Sequence, residues 1–390
     1  MKRKHARAKQ TATGEHATGG GTVAALRRLD WQTVALVLAA KALLVVYGAA
    51  AFTVLQDQWP GGWLEIWNRW DAPHYLAIAR QGYVSTGEES RWIVFYPLYP
   101  WLVRVAAFVL RDYLLSAFVV SALASVAAAL LLQRLAALDE EERAARAAVF
   151  FMLAFPTAYF LHVGYTESLF MALALGSLLA ARRRAWHVAG ILGALAALTR
   201  VNGLLLIPAL AAEAYAEYRD EGRRQPRPEW SWIALVASGF AVYLALNYYA
   251  LGDPFAFLSI QKEHWFRSFT WPWVSVGDAW RSARWRTPSD AVMVGWMELL
   301  FALLGLGCTI WCAFRLRASY AVWMGANWLL WTSTKFLLSV PRYTLIMFPV
   351  YILFARAAVK RPALGGAIAL WSLLLLALFA AQFARGHWAF

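Results

Sequence analysis

Twelve apolar stretches, at 31–53, 94–110, 113–135, 147–163, 166–181, 186–199, 202–216, 231–251, 290–314, 318–338, 343–358 and 363–384, constrain the fold before any motif is considered. No single soluble core can absorb that many, because soluble chains are only about 45–50% apolar. This chain of 390 residues is 61% hydrophobic and 15% aromatic. Backbone groups inside a bilayer must be satisfied within their own segment, so the stretches read as helices. Several fall short of the roughly 20 residues that a straight crossing needs. The expected class is an all-α polytopic membrane protein with about 10–12 hydrophobic helices.

The net charge of +14 is largely topological. Lys2, Arg3, Lys4, Arg7, Lys9, Arg27 and Arg28 precede the first stretch, and Arg182, Arg183 and Arg184 follow another. Basic residues at span ends mark cytoplasmic sides. They are not gathered on a soluble domain and no recognition motif accompanies them, which excludes nucleic acid as the partner. Residues 1–30 read as a disordered basic cytoplasmic tail, and 31–53 as an uncleaved signal anchor, since it is long enough to span. Residues 31–390 then form a single membrane domain.

By the same rule 182–184, 219–228, 315–317 and 360–362 are cytoplasmic, and 54–92, 164–168, 199–203, 252–289 and 339–343 lie outside. The count clashes between 92 and 147. If "DEEERAAR" is cytoplasmic, 94–110 and 113–135 cannot both be simple crossings. A re-entrant element starting at the proline-broken "FYPLYP" is one resolution, which the sequence leaves open. "TRVNG" interrupts another pair of segments with an Arg and a Gly, and such breaks at membrane depth are tolerated where they line a polar cavity.

The two outer loops are rich in Trp. Residues 54–92 hold Trp59, Trp63, Trp67, Trp70 and Trp92; residues 252–289 hold Trp265, Trp271, Trp273, Trp280 and Trp285 beside Lys262, Arg267, Arg281, Arg284 and Arg286. The spacing of Trp63, Trp67 and Trp70 predicts one face of a helix lying along the membrane. An aromatic belt accounts for most of these residues; an amphiphilic ligand is the added reading, with rings against its tail and cations on a phosphate.

Asp71 follows that face. Partial loss of hydration there would make its carboxylate a better base, whereas "DAPHYLAIA" also reads as a helix start with Asp as the cap and Pro73 in the first turn. His74 falls on the same helical side. Glu167 in "YTES" and Arg200 with Asn202 in "TRVNG" sit at the mouths of apolar segments, where ionisable groups default to functional hypotheses or to an internal ion pair. Lys41 and Arg104 lie within apolar segments, and Lys41 would snorkel or pair internally. Cys308 and Cys312, one turn apart, read as packed small residues. HExxH, a Gly-rich phosphate loop with its Lys, CxxC and GxSxG are all absent, as is a convincing internal repeat of the transporter kind. A nucleotide-sugar site would need a soluble domain that the chain lacks, so any sugar donor should come from within the membrane.

In order, "WDAPHYLAIARQGY", "FYPLYPWLVR", "FPTAYFLHVGYTESLF" and "AGILGALAALTRVNGLLLIP" resemble the PIG-V family of mannosyltransferases, over roughly residues 67 to 208. "GDPFAFLSIQKEHW" and "SVPRYTLIMFP" look like less distinctive landmarks of the same family. The resemblance implies a GT-C glycosyltransferase fold, with interfacial helices in extracytoplasmic loops and 54–92 as the catalytic one. It also implies transfer of mannose from a polyprenyl- or dolichyl-type phosphate carrier, with inversion, to a hydroxyl of a lipid-linked or cell-envelope glycan. The family's first-loop acid maps onto Asp71 as general base. "YTES" and "TRxNG" map onto Tyr165, Thr166, Glu167, Ser168, Arg200, Asn202 and Gly203.

The candidate donor- and acceptor-binding set is therefore Trp70, His74, Tyr75, Tyr165, Glu167, Arg200, Asn202, Lys262, His264, Arg342 and Tyr343, with Arg200, Lys262 and Arg342 offered to the leaving phosphate. No cofactor or metal is expected, because guanidinium charge can compensate the leaving group. The implied partners are the donor lipid, the glycan acceptor, the bilayer and, where one exists, a small membrane subunit. Ala-, Arg- and Trp-rich usage points to a bacterial plasma membrane, with the N-terminus cytoplasmic. A transporter or flippase of a lipid-linked sugar, or a non-catalytic membrane subunit, is the rival expectation.

Overall fold

The computed structural model describes residues 30–222 and 225–390, so the expected tail at 1–30 falls almost wholly outside the described residues. The helices are α1 (Trp31–Gln56), α2 (Ala72–Gln81), α3 (Leu98–Leu110), α4 (Tyr113–Ala136), α5 (Glu142–Ala154), α6 (Glu167–Arg182), α7 (Trp186–Thr199), α8 (Leu206–Asp220), α9 (Val236–Leu251), α10 (Ala256–His264), α11 (Pro272–Ala283), α12 (Met297–Arg315), α13 (Ala318–Thr332), α14 (Val340–Leu345), α15 (Pro349–Lys360) and α16 (Pro362–Ala384). Every one of the twelve apolar stretches carries a helix, and among the described residues the extended pairing is one isolated bridge, Phe269 with Thr334.

Five helical segments are long and apolar enough to cross a bilayer: Trp31–Gln56, Tyr113–Ala136, Pro228–Leu251, Pro288–Arg315 and Pro362–Ala384. The protein is an integral membrane protein. At "FYPLYP" the chain bends by 111° between the turn Glu88–Val94 and α3. With 13 residues α3 reaches only about 20 Å, too short for a straight crossing. The clash in the topology count thus has a structural origin, a broken element at the expected place.

Local chemistry sets the helix starts. Asp30 caps α1, its carboxylate accepting from the Gln32 and Thr33 amides, and Asp112 caps α4 through the Leu115 amide. The centre of the bundle is α6 between α4 and α7. Small residues are buried along all three, and Gly193 of α7 closely approaches α6, where a Cβ would lie 3.4 Å from the Ser177 hydroxyl oxygen. Without water to drive association, close backbone approach and dispersion hold such helices together. Gly203 shows how close: a Cβ there would lie 2.2 Å from the Ala197 nitrogen, so the break after α7 folds directly onto that helix.

The predicted interfacial Trp helix does not form. Only Glu65–Trp67 makes a single 3-10 turn, and Trp70 has left-handed backbone (φ 55°). The spacing argument ignored Gly61, Gly62 and Asn68, which break helices. Trp63 and Trp70 stay exposed while Trp67 is buried, its ring 6.1 Å from that of Phe383 and seated over Gly48, where a Cβ would come within 2.2 Å of it. The Trp-rich loops 54–92 and 252–289 do carry short helices, α2 in one, α10 and α11 in the other.

Lys41 pairs internally, its ammonium donating to the His162 carbonyl and lying 5.3 Å from the Phe118 ring centre. Arg104 closes α2, donating to the Ala79 and Ile78 carbonyls at 2.6 and 3.2 Å. Cys308 and Cys312 are buried free thiols.

Candidate active site

Four chain breaks deliver four charged side chains to one point. Asp71 stands at the N-cap of α2, yet its carboxylate makes no cap hydrogen bond; the capping role read from "DAPHYLAIA" is held in position only. Glu167 opens α6, where the positive end of the helix favours a carboxylate. Arg200 sits in extended backbone (φ −158°, ψ 151°) between α7 and the 3-10 turn Val201–Leu205. Arg342 lies in the one-turn helix α14.

That last turn is held hard. Ser339 has φ 67°, unusual for a residue with a side chain, and the wholly buried Glu298 of α12 accepts from the Ser339 and Val340 amides at 2.8 and 2.6 Å. The Thr157 hydroxyl donates to the Pro341 carbonyl at 2.9 Å.

Arg342 then bridges two carboxylates. Its Nη1 donates to Asp71 Oδ2 at 2.6 Å, and its Nε to Glu167 Oε1. Arg200 donates from Nη1 to the same Glu167 oxygen and to the Thr166 hydroxyl, the latter at 2.9 Å. Two positive and two negative charges balance, which offsets part of the cost of burying them. The rings of Tyr165 and Phe160 lie 4.7 and 4.8 Å from the Arg342 guanidinium carbon. Exposure is graded: the Glu167 side chain is 0% accessible, Arg342 8%, Arg200 13% and Asp71 28%. Asp71 is the member that meets the outside, and its Oδ1 makes no hydrogen bond among the described residues.

Other predicted residues divide into those that support this cluster and those that do not. Tyr165 locks the Asp71 loop: its hydroxyl donates to the Arg69 carbonyl at 2.8 Å and accepts from the Asp71 amide at 3.2 Å. Tyr75 is buried with its ring edge-on to Tyr165 at 6.0 Å. Tyr343 lies under Arg200, 5.8 Å from ring centre to guanidinium carbon. Trp70 packs edge-on against Trp388 at 5.1 Å. His74 turns away, stacked on Phe95 at 5.2 Å and edge-on to Trp92. Burial holds its pKa below the ordinary histidine value, with the nearby Asp71 charge pulling the other way.

Asn202 faces α13, donating to the buried Asn327 side chain at 2.7 Å, and Ser168 is buried beside Glu167. Lys262 and His264 are exposed on α10, with no hydrogen bond or ion pair to the cluster among the described residues. Sequence reasoning missed Glu298, although an acid well inside the stretch 290–314, eight residues beyond Asp290 at its edge, was signal enough. Among the described residues no three His, Cys, Asp or Glu side chains converge as a metal site requires.

The chain matches the Mannosyltransferase (PIG-V) family over residues 28–273. It belongs to that family. Two curated relatives of this PIG-V family chain are a GPI mannosyltransferase 2 of Schizosaccharomyces pombe, 31% identical over 144 residues, and a GPI alpha-1,6-mannosyltransferase 2 of Rattus norvegicus, 36% identical over 155. These matches take in 35% and 36% of this chain, which spans only 30% of the length of either relative. Among solved structures, the Archaeoglobus fulgidus oligosaccharyltransferase complex with Zn and sulfate has a TM-score of 0.49 at 15% identity, covering 89% of this chain and 53% of the other. ArnT from Cupriavidus metallidurans bound to undecaprenyl phosphate also gives 0.49, at 14% identity over 90% and 76%.

Proposed function

We propose that this PIG-V family protein transfers mannose from a polyprenyl-type phosphate-mannose to a hydroxyl of a lipid-linked or cell-envelope glycan, at the extracytoplasmic face, within a GT-C architecture. The observation that carries the reading is the graded cluster. Glu167 and Arg342 are sealed in protein, Arg200 is partly accessible, and Asp71 reaches the surface with one carboxylate oxygen unengaged.

In the proposed reaction the acceptor hydroxyl gives its proton to Asp71 as its oxygen attacks the anomeric carbon. The bond from that carbon to the phosphate oxygen breaks on the opposite side, so the configuration inverts and the polyprenyl phosphate leaves with the electron pair. Arg342 holds the Asp71 carboxylate at one orientation through Oδ2 and leaves Oδ1 for the substrate. Glu167 holds Arg342 in turn, so it acts through another residue and is a positioning residue. Arg200 keeps donors other than Nη1 free of protein partners among the described residues, and these can meet charge growing on the phosphate.

The test uses the full chain in liposomes with radiolabelled polyprenyl-phosphate-mannose and host lipid extract. Label is expected to move to a new lipid or glycan, with the anomeric configuration opposite to that of the donor. Donor crossing the bilayer without bond formation would favour a transporter instead. No turnover and no crossing would favour a non-catalytic subunit.

A further inference from the structure

We infer that Arg267, which shares contact with the Tyr343 ring with Arg200 of the catalytic cluster, holds the phosphate of the isoprenoid donor together with Arg200. The inference rests on the mannosyl-transfer reading for its substrate but on independent geometry for its location.

The charge count comes first. Asp71 and Glu167 are matched by Arg342 and Arg200, and Arg342 already spends two of its donor positions on carboxylates. Arg267 stands outside this balance. It is half-buried and makes no ion pair among the described residues; its guanidinium donates only to the Tyr343 hydroxyl. Glu298 is the carboxylate whose charge reaches it, but both Glu298 oxygens are taken by the Ser339 and Val340 amides. A half-buried guanidinium with no carboxylate in contact, and with free donors beside a proposed active site, has the fork geometry that a phosphate fits.

Placement is also built rather than incidental. The Arg267 amide donates to the Gln261 carbonyl at 3.1 Å, after a left-handed residue, Phe266 (φ 55°). The next residues pair with the segment leading into α14: the Thr270 amide donates to the Ser333 carbonyl at 3.0 Å, and the Lys335 amide to the Ser268 carbonyl at 2.9 Å. The loop that carries Arg267 is thereby fastened to the segment that carries Arg342 and Tyr343. Arg267 and Arg200 both lie over Tyr343, at 5.5 and 5.8 Å from its ring centre, so one aromatic side chain contacts two cations. Lys262, the loop cation preferred on sequence, has no such anchorage among the described residues.

The test measures binding rather than turnover. Full-length protein in nanodiscs would be titrated with farnesyl phosphate and with neutral farnesol, for wild type, Arg267→Met, Arg267→Lys and Arg281→Met. Arg281 is an exposed cation of the same loop, paired with Asp278. Arg267→Met is expected to weaken farnesyl phosphate binding about tenfold or more and leave farnesol unchanged, Arg267→Lys to recover part of the loss, and Arg281→Met to bind as wild type. Wild-type affinity in Arg267→Met would overturn the assignment. So would equal loss of both ligands, which a merely structural role produces, or an equal effect in Arg281→Met. Arg267-dependent phosphate binding in a protein that transfers no mannose would leave this site standing and remove the proposed reaction.

Discussion

Helix α6 carries a buried ion network at each end, about 22 Å apart along its axis, and the two differ in what they leave undone. At the Arg182 end every charge is answered within the protein. Arg182 forks onto Asp139 at 2.7 and 2.9 Å and also meets Glu213, which accepts from Arg317 at 2.7 Å and from the Ser319 hydroxyl at 2.8 Å. Arg356 pairs with Glu140 beside a recess of about 160 Å³. At the Glu167 end one carboxylate is part-exposed with an unengaged oxygen, and a neighbouring guanidinium has no carboxylate in contact among the described residues. A network that satisfies itself fastens helices; one that stops short of doing so has capacity left for a substrate.

The sharpest way to break this contrast is Asp71→Asn. Under the proposed mechanism it lowers mannosyl transfer by about 10²–10⁴-fold, read as label incorporated per folded molecule so that stability lost with the Arg342 pair is set aside. Transfer near the wild-type rate would reduce Asp71 to the position of a helix start. At the other end, Glu213→Gln should destabilise by roughly 1–3 kcal/mol, because Arg317 and Ser319 lose a charged acceptor while Arg182 keeps Asp139. Thermal unfolding in detergent would register that loss, while transfer per folded molecule stays at wild type.

Glu298→Gln sits between these cases. One amide oxygen cannot accept well from both Ser339 and Val340, so a loss of about 1–3 kcal/mol is expected. The turn that aims Arg342 should loosen with it, and transfer should fall more than stability alone explains. The smallest effect is with pH. His74 has its pKa lowered in the fold, so the unfolded chain takes up the proton first. Its contribution is fully present above the ordinary histidine value and is lost as pH falls through that region. Melting temperature should drop between about pH 7 and pH 5, and His74→Phe should flatten that slope.

Much of this was legible in the sequence, for identifiable reasons. Ionisable residues at the mouths of apolar segments are conspicuous, so Glu167, Arg200, Arg342 and Asp71 could be picked out by position. Their convergence could not, because it depends on Arg342 crossing to two segments more than 170 residues away. Loop residues were read less well. Lys262 and Arg267 are equivalent in composition, and only the left-handed turn at Phe266 and the pairing with 333–335 decide which one faces the cluster. The Trp face failed because 3.6-residue periodicity carries no information where Gly61, Gly62 and Asn68 stop the helix from forming. "RRR" at 182–184 was read as a topological signal, yet Arg182 proved to be the hub of the second network.

The central claim is that only one of the two networks serves chemistry, and paired substitutions at the two ends of α6 test it most directly. Glu167→Gln and Glu213→Gln each remove a buried carboxylate charge that is shared by two arginines. Measured side by side for thermal stability and for mannose transfer per folded molecule, both should lose stability, and only Glu167→Gln should lose transfer. Equal loss of transfer in the two variants, or full transfer in Glu167→Gln, would contradict the account.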